Sequence, residues 1–101
     1  RLKQVLLNVI KNAKEAIEKN GEIEIKLFKN KKYAHIVVKD NGVGMDSDTL
    51  KKLFSPFFTT KNNGTGLGVC LSKEIVEKHG GSIEYLSKKN IGTKVIIKLP
   101  L

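Results

Sequence analysis
The chain has 101 residues, is 40% hydrophobic and 6% aromatic, and carries a formal net charge of +9 from 19 basic and 10 acidic residues. This predicts one domain with a modest core and excludes a membrane-spanning run of apolar residues. A single cysteine, Cys70, rules out an internal disulfide or a cysteine-built metal cage and fits a reducing, cytoplasmic setting.

The opening stretch RLKQVLLNVIKNAKEAI is amphipathic rather than an apolar signal core. Leu2, Val5, Leu6, Val9, Ala13, Ala16 and Ile17 recur at helical spacing, which predicts a helix over 2–19, ended by Asn20-Gly21. EIEIKLF alternates, so a strand over 22–28 is expected, with Ile23, Ile25 and Leu27 facing inward. KNKK is a turn, and Tyr33 to Lys39 makes the second strand of a hairpin. Ser47 is positioned to cap a short helix running to about Leu53. LFSPFFTTKNNGTGLG is a long irregular segment, unusual in so small a domain unless it covers a ligand. A second long helix is expected over 69–78, stopped by Gly80-Gly81. Two more strands, 82–87 and 93–99, flank a KKNIG turn. The order helix, hairpin, loop, helix, hairpin predicts an α/β (α+β) two-layer sandwich with helices on one face of a mixed, largely antiparallel sheet. The lysines are scattered along every element and are not gathered in a stripe with stacking aromatics. The charge therefore reads as a soluble surface, with no nucleic-acid site.

Several polar residues converge on one end of this core. Period two places Asp40 on the same face as Ile36 and Val38, where a carboxylate must find donors. Thr93 shares a face with Val95, Ile97 and Leu99. Asn8 and Asn12 stack one turn apart on the first helix, and Asn12 lies beside the apolar stripe. Each has an ordinary reading alone: Asp-Asn-Gly is a common turn, a helical asparagine is usually solvated, and threonine is at home in strands. Their convergence is the signal. GTGLG precedes a helix whose free N–H groups suit phosphate. It is neither a dinucleotide fingerprint, since Val69 replaces the third glycine, nor a phosphate loop of the G-x-x-x-x-G-K-[ST] kind.

Together these stretches resemble the ATP-binding catalytic domain of bacterial sensor histidine kinases, within the gyrase, chaperone, histidine-kinase and mismatch-repair ATPase superfamily. LLNVIKNAKEAI is similar to the family's N box, DNGVGM to its first glycine box, LFSPFFTTK to its F box, GTGLG to its second glycine box, and GTKVIIKLP to its closing strand. The resemblance covers nearly all of residues 5–100, with the five blocks in family order. It implies that Asp40 accepts a hydrogen bond from the adenine amino group, with Thr93 supporting the contact through water. It implies that Asn12 coordinates the magnesium of Mg-ATP and that Asn8 lies near the same ion, so that both belong to the catalytic machinery. Gly42 and Gly44 would bend the chain beside the base. Residues 46–64 would form a flexible ATP lid, docking through Phe54, Phe57 and Phe58, with Lys61 meeting the phosphates. Gly64, Thr65, Gly66, Leu67 and Gly68 would hinge the lid and bring the next helix against the phosphates.

The superfamily's hydrolases usually carry a glutamate one turn before the magnesium asparagine. This chain has Asn8 there, and an amide is a poor general base. The resemblance therefore implies transfer of the γ-phosphoryl group to a histidine in two-component signalling, rather than hydrolysis. His35 and His79 lack the acidic neighbour typical of the family's phosphoacceptor, so the acceptor is expected on a separate dimerisation domain. Glu15 stands where many members have a basic residue, leaving Lys11 or Lys61 to contact phosphate. The chain is expected to be an N-terminally clipped catalytic fragment, with its phosphoacceptor domain absent. A response regulator downstream, a homodimeric parent kinase and a cytoplasmic location without membrane contact by this domain complete the expectation, with a membrane-bound parent sensor kinase left open. The alternatives are another ATPase of the superfamily, an anti-sigma type serine kinase, or, more remotely, a non-catalytic nucleotide- or nucleic-acid-binding module.

Overall fold
The computed structural model describes residues 1–17, 20–55 and 68–101. The expectations for Phe57, Phe58, Lys61, Gly64, Thr65, Gly66 and Leu67 lie outside the described residues. The elements are α1 (Leu2–Ala16), β1 (Ile23–Lys29), β2 (Tyr33–Asp40), α2 (Ser47–Lys52), α3 (Gly68–Lys78), β3 (Ser82–Lys88) and β4 (Gly92–Pro100). They form a four-stranded sheet in the order β1-β2-β4-β3, with α1 and α3 packed on one face. The two-layer α+β expectation is met. The sheet is not mixed, however: every pairing among the described residues is antiparallel. Two hairpins joined through β2 and β4 need no parallel crossover.

The core forms where two periodicities meet. Val5, Val9 and Ala13 on α1, with Ile75 and Val76 on α3, bury against Val38, Ile83, Val95 and Ile97 of the sheet. Helical spacing places the first set on one stripe and strand alternation the second on one face. Removing each of these valines and isoleucines from water stabilises by roughly 1.5–3 kcal/mol, and Ala13 by less.

Three local expectations need correction. Ile25 and Leu27 sit on the core-facing side of β1, opposite Val38 and Ile36, yet are 50% and 73% exposed. The helices cover β2, β4 and β3, and from β1 only Ile23 packs against the core. Alternation reports the face of a strand, but whether a helix reaches over it is a tertiary matter. The short helix α2 is capped by Asp46 rather than Ser47, through an Asp46 Oδ1 contact from the Thr49 N–H at 2.8 Å. That contact holds the exposed Asp46 carboxyl below its usual range, chiefly through the Thr49 backbone N–H. Finally, α1 stops at Ala16, because Ile17 is already extended at φ −87°, ψ 145°.

Candidate functional site
The early end of α1 belongs to the site. The Ala16 carbonyl, which one more helical turn would have used, accepts instead from the Val43 N–H at 2.9 Å. Gly42 lies so close to that carbonyl that any Cβ there would strike it. Gly44 has φ +67°, and a side chain on it would run into the Lys88 carbonyl. The DNGVGM stretch is thus threaded between the end of α1 and the β3–β4 hairpin, and it closes only with glycine at both positions. Two further bonds secure it: Asn90 N–H to the Val43 carbonyl at 2.6 Å, and Met45 N–H to Ser87 Oγ at 2.8 Å.

At the head of this loop stands Asp40, 5% exposed, on the core side of the sheet. Its Oδ1 accepts from the Gly42 N–H at 2.8 Å. It faces no cation among the described residues. Strand register places Thr93 directly beside it on β4, and Ser87 beside Thr93 on β3. Ser87 Oγ lies 2.8 Å from Thr93 Oγ1 and 3.0 Å from the Gly92 carbonyl. The result is a polar row, Asp40–Thr93–Ser87, crossing three strands at one end of an otherwise apolar layer.

On α1 the two asparagines form a second group. Asn8 is half-buried and its Nδ2 donates to Ser72 Oγ of α3 at 3.1 Å. Ser72 is 2% exposed, so this bond gives a buried hydroxyl its partner. Gly68, the first residue of α3, abuts the Asn8 amide, and a Cβ on it would meet Asn8 Oδ1 at 2.7 Å. Beside this contact is a cleft of about 260 Å³, lined in part by Gln4, Asn8, Lys11, Gly68 and Ser72. Asp40 and Thr93 do not line it. Asn12, half-buried, falls between the two groups. Along α1 the cleft is at the level of Asn8 and the DNGVGM loop at the level of Ala16, about 12 Å further on at the usual helical rise. An elongated ligand laid along that helix would touch the Asp40–Thr93 polar row at one end, an amide in the middle, and a helix N-terminus with Lys11 at the other.

Asp40 and Thr93 pair across β2 and β4, with Gly42 and Gly44 in the loop that follows, but the expected convergence of all the polar residues on one end of the core is corrected: they fall into two groups along α1, and only the second lines the cleft. Asn8 and Gly68 meet at the second group, with Asn12 between the two. Ser87 and Ser72 escaped the sequence reading. The signal for Ser87 was present, since alternation along β3 puts Ile83, Tyr85 and Ser87 on the face shared with Thr93. Ser72 carries no distinguishing pattern beyond a polar residue on an apolar helical stripe. No group of three or more His, Cys, Asp or Glu capable of holding a metal occurs among the described residues. No described helix is long and apolar enough to cross a membrane.

Comparison with known proteins gives a consistent picture. A family described as histidine kinase-, DNA gyrase B-, and HSP90-like ATPase matches residues 1–101. The chain is 42% identical over 101 residues to the sensor protein DegM of Bacillus sp. (strain B21-2), and 44% identical over 101 residues to the signal transduction histidine-protein kinase AtoS of Escherichia coli (strain K12). These matches cover 100% and 99% of this chain but only 27% and 17% of the relatives, so the chain spans about a quarter or less of their length. Among solved structures, the catalytic domain of the histidine kinase ThkA in a nucleotide-free form superposes with TM-score 0.85 at 39% identity, covering 98% of this chain and 65% of that one. The mycobacterial sensor histidine kinase MprB superposes with TM-score 0.83 at 30% identity, covering 96% and 68%.

Proposed function
Because the chain belongs to the histidine kinase-, DNA gyrase B- and HSP90-like ATPase family, we propose that it binds Mg-ATP and donates the γ-phosphoryl group to a histidine of a separate dimerisation and phosphoacceptor domain. The single observation that carries this reading is the buried Asp40 carboxylate beside Thr93. One carboxylate oxygen is held by Gly42 N–H, and the remaining acceptor capacity suits an exocyclic amino group. Adenine presents such a donor where guanine presents an acceptor.

The donor set also fits magnesium. With no acidic cluster among the described residues, an ion here would rely on an amide oxygen, water and the phosphates themselves; magnesium keeps several waters and takes few protein ligands in phosphoryl-transfer sites, and an amide oxygen is a suitably hard donor. Asn12, with Asn8 one turn away, would supply the amide oxygen, and the ion, when bound, would neutralise phosphate charge. This chain's residues orient the nucleotide: the acceptor row holds the base, and the N-terminus of α3 faces the phosphate end with Lys11 alongside. In the transfer, the bond from the γ-phosphorus to the β–γ bridging oxygen breaks and a phosphorus–nitrogen bond forms on the acceptor imidazole, leaving ADP. Catalysis of this kind is largely positioning and charge stabilisation. Hydrolysis is disfavoured, because Asn8 has no basic site with which to activate water. Lys61, Gly64, Thr65, Gly66 and Leu67 complete the phosphate contacts in this proposal. A response regulator receives the phosphoryl group, and the parent kinase is a homodimer.

The test is calorimetric titration of the chain with Mg-ATP and with Mg-GTP, followed by a phosphoacceptor domain supplied in trans. Saturable ATP binding, exclusion of GTP and acid-labile phosphohistidine on the acceptor are expected. Steady phosphate release without an acceptor would overturn the transferase reading in favour of a hydrolase.

A further inference from the structure
Ser87 has three polar contacts and only one hydrogen. The Met45 N–H can only donate to its Oγ, at 2.8 Å. The Gly92 carbonyl can only accept from it, at 3.0 Å. The third neighbour, Thr93 Oγ1 at 2.8 Å, could in principle play either part. A serine hydroxyl supplies one donor and two acceptor positions. One assignment alone makes all three contacts hydrogen bonds: Ser87 accepts from Met45, donates to Gly92, and accepts from Thr93. Thr93 has then spent its only proton and offers the ligand lone pairs.

We infer that Ser87 is a specificity-determining positioning residue, which polarises the Thr93 hydroxyl so that the Asp40–Thr93 row accepts hydrogen bonds and selects a 6-amino purine over a 6-oxo purine. This rests on the adenine reading above. Strand register makes the row continuous, with Asp40 opposite Thr93 and Thr93 opposite Ser87. Asp40, as carboxylate, has no donor. With Thr93 turned toward Ser87, the row has two adjacent acceptors, and a ligand group or bridging water must bring hydrogens to both. An amino group does so, whereas a carbonyl leaves buried acceptors facing one another. Ser87 also ties the loop at Met45 to the same hydroxyl, so the polarity of Thr93 and the closure of the DNGVGM loop share one hinge atom.

The experiment measures affinities for Mg-ATP and for inosine triphosphate, which has a 6-oxo group, in the unmodified chain, Ser87→Ala and Ser87→Thr. In Ser87→Ala the Thr93 hydroxyl is free to rotate and donate. ATP binding should weaken while inosine triphosphate gains, narrowing the ratio of affinities by about tenfold. Ser87→Thr restores the hydroxyl and should keep the original ratio. Equal weakening of both nucleotides in Ser87→Ala, with the ratio intact, would reduce Ser87 to a structural clasp and overturn the inference while leaving the adenine site standing. An unmodified chain that binds both nucleotides equally also overturns it. An unmodified, folded chain that binds neither removes the adenine reading and this inference together. Should circular dichroism show Ser87→Ala unfolded, Ser87→Cys, with a weakly hydrogen-bonding thiol of similar size, is read by the same ratio.

Discussion

At the scale of single residues, the site is built from groups that the core would otherwise exclude. Asp40 at 5% exposure is tolerated because the Gly42 N–H meets it and, in our proposal, a base completes it. Asp40→Asn replaces an acceptor with a mixed amide. A charge-assisted hydrogen bond contributes roughly 1.5–3 kcal/mol, so ATP affinity should fall by about tenfold to a hundredfold in calorimetry. Unchanged affinity would remove Asp40 from the base pocket. Tyr85 makes a different point. Its hydroxyl is buried on β3 with no hydrogen-bond partner among the described residues, and its ring meets Phe54 edge-on at 5.6 Å between centroids. Burial pushes its pKa from 10.0 up to about 12. The folded state therefore favours the neutral phenol. That contribution is complete below pH 10 and is lost as pH climbs toward 12, by on the order of 2–3 kcal/mol. Tyr85→Phe should abolish this part of the alkaline destabilisation and raise stability at pH 7 by about 1 kcal/mol or leave it unchanged. Denaturant unfolding of both proteins at pH 7 and pH 11 measures the difference, and equal alkaline losses in the two proteins would refute it.

At the scale of elements, loops and edges decide more than propensities do. Helix α1 continues in pattern to Ile17 but ends at Ala16, because the DNGVGM loop captures the carbonyl needed for another turn. Gly44→Ala should therefore destabilise the loop through its positive φ and the Lys88 carbonyl. It should do so by about 1–3 kcal/mol and weaken nucleotide binding in parallel, both readable from one thermal titration series. Strand β1 is an edge with apolar side chains left uncovered: Leu27 is 73% and Phe28 54% exposed. Phe28 is covered only in part by its stack on His35, at 4.6 Å between centroids. Charged Glu24, Lys26 and Lys29 punctuate the same strand, a usual protection against edge-to-edge pairing. Leu27→Lys should accordingly change stability by less than about 0.5 kcal/mol while raising solubility. A large loss of stability in denaturant unfolding would show that Leu27 packs in solution.

At the scale of the whole molecule, one apolar layer holds two polar groups apart along α1. The loop with Asp40 and Thr93 is at one end, and the Asn8–Ser72–Gly68 contact is at the other. A ligand spanning both should stiffen the molecule as a unit. At a hundredfold excess over its dissociation constant, Mg-ATP stabilises by about 2.7 kcal/mol. For a domain of this size that is a rise in Tm on the order of 10 °C. GTP should give little or none. A Tm that fails to respond to saturating Mg-ATP would contradict the proposed site as a whole. The net charge of +9 is a property of the surface at this scale. It favours any anionic ligand over long range but selects none of them.

Much of this was legible in residue order. Helical and alternating periodicity, with a capping signal for α2, located the seven elements of the described residues to within a few residues, because periodicity reports which side of a helix or strand is apolar. The position of Asp40 and Thr93 on the apolar face followed from the same counting, and the five ordered motifs identified the family. Other features needed the fold. Ile25 and Leu27 carry the pattern of buried residues yet lie beyond the reach of the helices. Asp46 rather than Ser47 caps α2 because its side chain is the one that meets the Thr49 N–H. The end of α1 depends on Val43, twenty-seven residues further along the sequence (43 − 16), whose N–H takes the Ala16 carbonyl. Alternation along β3 gives the face of Ser87, but its partners emerge only when β3 pairs with β4 and places its hydroxyl among Met45, Gly92 and Thr93. Periodicity is a local property and survives in the sequence, whereas coverage, capture of a free carbonyl and the direction of a shared proton depend on which distant groups arrive beside it.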